Sequence, residues 1–344
     1  MGPDQPAQRA TLAAVAREAG VSVPTVSKVV NGRTDVAAET RARIEALLAE
    51  HGYVARGPGG AQPATRTVAL VFDAMHTSNN VEMLRGVLEA ASPEGVDVVV
   101  DIVPDDPLGA TWARRLAAAR RAGMILVTSS INSQQWRHFA EQRIPIVTID
   151  PVNLPGPDVP SVGATNFNGG LVATGHLLEL GHRRIGFIEG PPKAMMSLAR
   201  LHGHHAALSQ AGLASDPALI EPGGFSFDGG FAAATRLLSA AARPTAVFAS
   251  NDFQAFGAIE AARRLGLRVP EDLSIIGFDD VPSAQWSAPP LTTVRQPFAE
   301  MGRVAMRRLL RLVAGEELTS PRVELTTELV IRKSTAELPK SFEA

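Results

Sequence analysis

The stretch TLAAVAREAGVSVPTVSKVVNG, residues 11–32, decides how the start of the chain folds. Leu12, Val15 and Ala16 recur at helical spacing, and Thr11 stands where an N-cap hydroxyl would accept the first free amides. Ala19, Gly20 and Val21 end that helix in a tight turn. Ser22 then caps a second helix with apolar positions Val26, Val29 and Val30; its Pro24 falls in the first turn, where a missing N–H costs little. Asn31-Gly32 closes it. A third helix follows, with Thr40, Ile44, Leu47 and Leu48 along one side, ending near Gly52. Ala37 at its start carries no capping hydroxyl, and Asp35 stands two residues before it. Next, residues 56–64 hold two prolines and three glycines, too many for a helix, and read as a linker.

Beyond the linker the chain alternates. Strand-like runs fall at 67–72, 96–103, 124–128, 146–149, 185–188, 246–249 and 273–278, with helical patterns between them such as 81–91, 169–180, 231–238 and 253–265. Such alternation argues for parallel sheets covered by helices on both faces. It runs too long for one doubly wound unit, so two similar lobes flank a crevice. Ligands bind in such sheets beyond the carboxyl ends of the strands. Asp73, Asn251, Asp252, Asp279 and Asp280 stand at those places. The expected architecture is a small all-α helix-turn-helix head plus an α/β two-lobed body.

Composition narrows the function. The 344 residues carry 33 Lys+Arg against 35 Asp+Glu, a net charge of −2. That excludes a uniformly basic nucleic-acid binder but leaves room for a small binding head on an acidic body. With no cysteine, disulfides, thiolate nucleophiles and Cys-based metal centres are out. No apolar run approaches the ~18 residues of a membrane span. The opening Met-Gly-Pro-Asp-Gln-Pro has no export signal, so the expected location is the cytoplasm, on the nucleoid when bound to DNA. Gly169-Gly170 and Gly190-Pro191-Pro192 lack the Gly-Lys-Ser/Thr of a phosphate loop, and no G-x-G-x-x-G opens a helix after the first strand. His202, His204 and His205 would need further ligands to hold a metal; surface or pocket-edge places suit them better, and neither metal nor cofactor is expected.

The 11–32 motif, continued through Thr40-Arg41 to Gly52-Tyr53, closely resembles the DNA-binding head of the lactose-repressor (LacI) family. So do several stretches of the body: 180–191, Ser250-Asn251-Asp252, 269–280 and 289–297. The resemblance implies a helix-turn-helix whose second helix offers its N-terminal side chains to the major groove. Val23 and Pro24 match the main base-reading positions and Lys28 a third. Val23 and Pro24 have no hydrogen-bonding side chain, so readout there is apolar, as with thymine methyls. Leu12 and Tyr53 belong to the same surface. Thr11, Ser22, Thr25, Ser27, Asn31 and Thr40 suit phosphate contacts, with helix capping and solvation as their competing roles. The family commonly carries a hinge helix after the tyrosine, whose leucine wedges into the minor groove. No such leucine is present at 56–64, so weaker operator bending is expected.

For the body the resemblance implies a type I periplasmic-binding-protein-like fold, crossed three times, near 163–166, 291–294 and 322–327. The expected organisation is an unstructured N-terminus at 1–10, the head at 11–55, the linker at 56–66, the body at 67–335 and a tail at 336–344. Lobe 1 covers about 67–163 plus 293–322, and lobe 2 about 164–291 plus 325–335. Arg200 matches the arginine that grips the effector; its guanidinium fork suits adjacent sugar hydroxyls or a carboxylate. Asp279 matches a carboxylate that accepts from hydroxyls or ring N–H groups. Asn251 can donate and accept, and Phe225 matches an aromatic lying against the ligand's flat face. Asp73, Asp150, Trp286 and Gln296 complete the candidate set. A structural ion pair is the competing role for Arg200 and Asp279, and core packing for Phe225 and Trp286. The implied function is a homodimeric transcription regulator, a repressor, binding a palindromic double-stranded operator under control of a small polar effector, a sugar. A purine effector on the same scaffold, a solute-binding receptor and a sugar-acting α/β enzyme are the alternatives.

Overall fold

The computed structural model describes residues 12–30, 36–50, 66–72, 77–102, 114–115, 118–119, 121–128, 133–153, 156 and 158–338. The linker at 56–65, the N-terminus at 1–10, Asp35 and the last six residues lie outside that set. The chain forms two compact units, 1–65 and 66–344.

The first unit contains α1 (Leu12–Glu18), α2 (Val23–Val30) and α3 (Ala38–Glu50). Val15, Ala16, Ala19, Val26, Val29, Ile44 and Leu48 make its core, one apolar stripe from each helix. Gly20 has φ +66°, the left-handed turn between α1 and α2 that favours glycine. Ser22 Oγ accepts the Thr25 amide at 3.4 Å and shares a 2.8 Å hydrogen bond with the Thr25 hydroxyl, so Ser22 acts as the cap of α2.

The second unit holds two six-stranded sheets. The first is built from β1 (Arg66–Phe72), β2 (Val96–Ile102), β3 (Gly123–Val127), β4 (Ile146–Ile149), β5 (Ser161–Ala164) and β11 (Arg322–Leu325), in the order β11-β5-β4-β3-β1-β2. The second is built from β6 (Ile185–Glu189), β7 (Ile220–Pro222), β8 (Ala246–Ala249), β9 (Ser274–Asp279), β10 (Thr292–Arg295) and β12 (Glu328–Val330), in the order β12-β10-β9-β8-β6-β7. β3, β8 and β9 are buried end to end and β1 from Val68 onward, as continuous Val/Ile/Leu runs require when helices cover both faces. β12 departs from the parallel pattern, pairing antiparallel with β10.

Helices α4 (Ser78–Ala91) and α10 (Phe298–Val313) cover one face of the first sheet and α5 (Ser133–Glu141) the other. In the second lobe α6 (Asn166–Glu179) pairs with α7 (Met195–Gln210), and α8 (Phe227–Ser239) with α9 (Asp252–Arg264), on opposite faces. The three helix pairs share one packing device. A Cβ on Gly86 would overlap the Ala299 carbonyl and one on Gly302 the Met83 carbonyl; Gly170 meets Arg200, Gly203 meets Phe167, Gly230 meets Gln254 and Gly257 meets Phe227 in the same way. Reciprocal glycines let each pair of backbones touch.

Three boundaries differ from those expected. Thr292–Arg295 pairs with β9, so the return crossing falls after Arg295 rather than at 291–294. Arg322–Leu325 pairs throughout with β5, so lobe 1 extends to 325. Residues 336–338 are not tail: the Ala336 amide donates to Ser274 Oγ at 3.0 Å and the Leu338 amide to the Leu180 carbonyl at 2.8 Å.

His204 is also corrected. It is buried, not at the surface, sharing a 2.9 Å hydrogen bond with Thr174 and stacking on Phe187 at 5.1 Å. Burial pushes its imidazole down to about 3, and lowers His176 and His182 too. An unfolded histidine titrates near 6.5, so on acidification the unfolded chain takes up these protons first. The stability the neutral imidazole contributes is complete above pH 6.5 and is lost as pH falls towards 3. The buried carboxyls of Asp150, Asp252 and Asp279 are raised and work in the opposite sense. A difference between variants isolates the histidine: lowering the pH from 6.5 to 5 should reduce the unfolding free energy of the parent chain, measured in urea, by about 1.5–2 kcal/mol more than that of His204→Gln.

Candidate functional site

In the head, Val26 and Val29 turn one side of α2 into the core, leaving the opposite side to solvent. That side carries Ser22, Val23, Pro24 and Lys28 exposed, with Thr25 and Ser27 half-buried beside them. Val23 is 43% exposed. Val23 and Pro24 thus form an apolar surface at the N-terminus of α2, outside the head core. Leu12 packs against the head core, and Thr40 is half-buried on α3. Thr11, Asn31 and Tyr53 lie outside the described residues.

In the body, a cleft of about 360 Å³ opens between the two lobes at the carboxyl ends of their strands. Asp150, Arg200, Phe225, Asn251, Asp279 and Gln296 all line it; Asp73 lies outside the described residues. Arg200 comes from α7 and is 2% exposed. Its Nε donates to Asn166 Oδ1 at 2.8 Å and its Nη1 to the Ser250 carbonyl at 2.6 Å. Nη1 also lies 3.7 Å from Asp279 Oδ1, and the guanidinium sits 3.8 Å from the centroid of the Phe278 ring. Asp279 accepts from Gln296 Nε2 on Oδ1 at 2.6 Å and from Asn79 Nδ2 on Oδ2 at 3.1 Å. Burial raises the Asp279 carboxyl and the Arg200 charge opposes that rise. Asp150 is pushed up to about 6, mainly by burial and against the pull of Arg200.

Phe225 has φ +64° and its ring lies 5.6 Å from the Arg200 guanidinium carbon. Gly190 lets that ring lie against the backbone; a Cβ there would overlap it. Asn251 is occupied by structure as well as facing the cleft. It caps α9, its Oδ1 accepting the Gln254 amide at 2.9 Å, and its Nδ2 donates to the Phe225 carbonyl at 3.1 Å. That bond holds the Phe225 backbone in place. Gln296 Oε1 and Ser250 Oγ are buried without a hydrogen-bond partner among the described residues.

Trp286 is corrected on both counts. It is 79% exposed, so it is neither core nor cleft, and it lines a separate hollow on the second lobe with Phe227 and Phe256. Sequence reasoning missed Asn79, Asn80, Thr128, Ser226 and Phe253, which also line the cleft. Thr128 escaped because the run 124–128 reads as strand throughout, whereas β3 ends at Val127.

Residues 11–55 match the model for bacterial regulatory proteins of the lacI family, and residues 174–335 match that for a periplasmic binding protein-like domain. The transcriptional repressor CytR of Escherichia coli (strain K12) is 35% identical over 334 residues, 96% of this chain and 97% of that protein. The chain belongs to the LacI family. Another relative, the transcriptional regulator CelR of Thermobifida fusca, is 34% identical over 339 residues, 95% of this chain and 98% of its own. A Lac repressor dimer bound to operator and the anti-inducer ONPF superposes with a TM-score of 0.78 at 29% identity, covering 96% of this chain and 100% of that one. As a LacI-family member this chain is a DNA-binding transcription regulator and not an enzyme. Among the described residues no helix is long and apolar enough to cross a membrane.

Taking Arg200 away should leave Asp279 and Asp150 buried without their cation. Arg200→Leu is expected to destabilise the body by about 3–5 kcal/mol in urea unfolding. Adding Asp279→Asn should recover part of that loss, a non-additivity that marks the pair as coupled.

Proposed function

We propose that this chain is a dimeric repressor whose grip on a palindromic operator is set by a small, uncharged, hydroxyl-rich effector, a sugar, closing the interlobe cleft. In this reading residues 11–55 contact DNA, 56–66 connect, and the body senses. The protein works in the cytoplasm, on the nucleoid. The observation that carries the effector class is the cleft wall, where the buried Arg200 faces the carboxyls of Asp279 and Asp150 beside Gln296 Oε1, which has no hydrogen-bond partner among the described residues. An anionic ligand would add to the two carboxylates and a cationic one would compete with Arg200 for them, whereas vicinal hydroxyls donate and accept at once. A CelR–cellobiose complex, 34% identical and covering 95% of this chain, supports the sugar reading. Four phenylalanines in the cleft, Phe72, Phe225, Phe253 and Phe298, favour a purine as the second reading, since planar rings stack on aromatic faces.

Dimerisation is supported by apolar surface on both lobes: Val81, Leu88, Val99, Val100 and Ile102 on the first, and Phe227, Leu265 and Trp286 on the second, are all exposed. One helix-turn-helix reads a half-site, and two-fold symmetry supplies the other.

Removal of residues 1–65 should leave a folded, dimeric body that no longer shifts the DNA upstream of its own gene; retention of a specific shift would refute the division of labour. A thermal-shift panel of sugars and purines should raise the melting temperature with one class only. Arg200→Lys should lose that response, since an ammonium cannot replace the guanidinium fork.

A further inference from the structure

α4 belongs to the first lobe, its Met83, Val87 and Ala91 buried in the core under the first sheet. Asn79 sits in its first turn. Asp279 ends β9 of the second lobe and is held there by Gln296 and Arg200. The 3.1 Å hydrogen bond from Asn79 Nδ2 to Asp279 Oδ2 therefore spans the cleft, joining residues 200 positions apart. A second bond bridges the lobes: the Met195 amide, opening α7, donates to the carbonyl of Val152, in the loop after β4, at 3.1 Å. The lobes are thus tied at the cleft itself as well as through the crossing strands.

We propose that Asn79 is a positioning residue that latches the cleft closed before any effector arrives. Its amide N–H takes the place on Asp279 Oδ2 that a ligand hydroxyl would otherwise have to supply. The bond is charge-assisted and half-shielded from water, the kind whose loss costs more than that of a neutral surface contact. Among the described residues Oδ2 of Asp279 accepts one hydrogen bond, and a carboxylate oxygen can accept two, so a ligand joins the latched state without displacing Asn79. Effector and latch therefore favour the same state. The ligand needs to supply only the remaining part of the open-to-closed bias, and its apparent affinity rises with the fraction already closed. The latch rests on reading this cleft as the effector site, yet its test contains no effector, so the two can fail separately.

The chain has no cysteine, so a spin-label pair can be introduced without background. Glu141→Cys at the end of α5 and Glu271→Cys just before β9 put one exposed label on each lobe, at strand ends remote from the cleft. Labelled full-length chain diluted into unlabelled chain places one pair in each dimer. Pulsed dipolar spectroscopy on the ligand-free protein should give one narrow distance distribution. Asn79→Ala should lower the closed-to-open ratio roughly tenfold, adding a second distance population. Asn79→Asp sets two carboxylates against each other and should empty the closed population at pH 8. Asn79→Ser, which keeps a donor and a good helix N-terminal residue, should fall between the parent and Ala. Circular dichroism on each sample reports folding. Superimposable distributions for the parent, Ala and Asp proteins would overturn the latch, as would a parent chain already split between two distances.

Discussion

A buried guanidinium has to be neutralised and hydrogen-bonded by the protein itself, and Arg200 imposes that requirement on the second lobe. Its partners arrive from separate elements: Asn166 from the start of α6, the Ser250 carbonyl from just after β8, Asp279 from the end of β9 and the Phe278 face from β9. The carboxyl ends of β8 and β9 and the first turn of α6 must therefore converge on one point. Gly170 permits it, since α6 and α7 touch backbone to backbone beside Arg200. Removing water from the site also strengthens each remaining electrostatic contact.

The strain of the fold gathers around that point. Thr128, Asp150, Phe225, Asp279 and Asp280 all have positive φ without being glycine, and the first four line the cleft. Such residues cost about 1–3 kcal/mol each and persist where their surroundings over-determine them. Asp280 is one such case, clamped between Arg295 and Arg332. Asn251 is the complement: by capping α9 and holding the Phe225 carbonyl it keeps the strained phenylalanine in register with Arg200.

The two lobes repeat one topology. Numbered within its own lobe, each sheet runs 5-4-3-1-2 with one added edge strand. The order reverses between the first and third strands, the switch point where open α/β sheets bind ligands. Phe72 and Val127 stand at that point in the first lobe, and Ser250, just after β8, near it in the second. A cleft between two such sheets faces two switch points at once, and its walls can close on a ligand from both sides.

Periodicity and punctuation determined the head, because its three helices are set by local signals: a capping Ser22, a left-handed Gly20 and apolar residues three and four apart. The same logic placed the long apolar strands of both lobes and the polar residues at their ends, Asn251, Asp252 and Asp279 among them. The late strands β10, β11 and β12 escaped it, since three or four residues carry too short a pattern and their burial comes from neighbours far along the chain. Tertiary structure alone decided that Trp286 faces solvent, that His204 packs beneath Phe187, and that Asn251 serves as a cap. It also decided that Asn79 of one lobe meets Asp279 of the other. A side chain's partner across a cleft depends on how two folded lobes are set against each other, and local spacing holds no information about that.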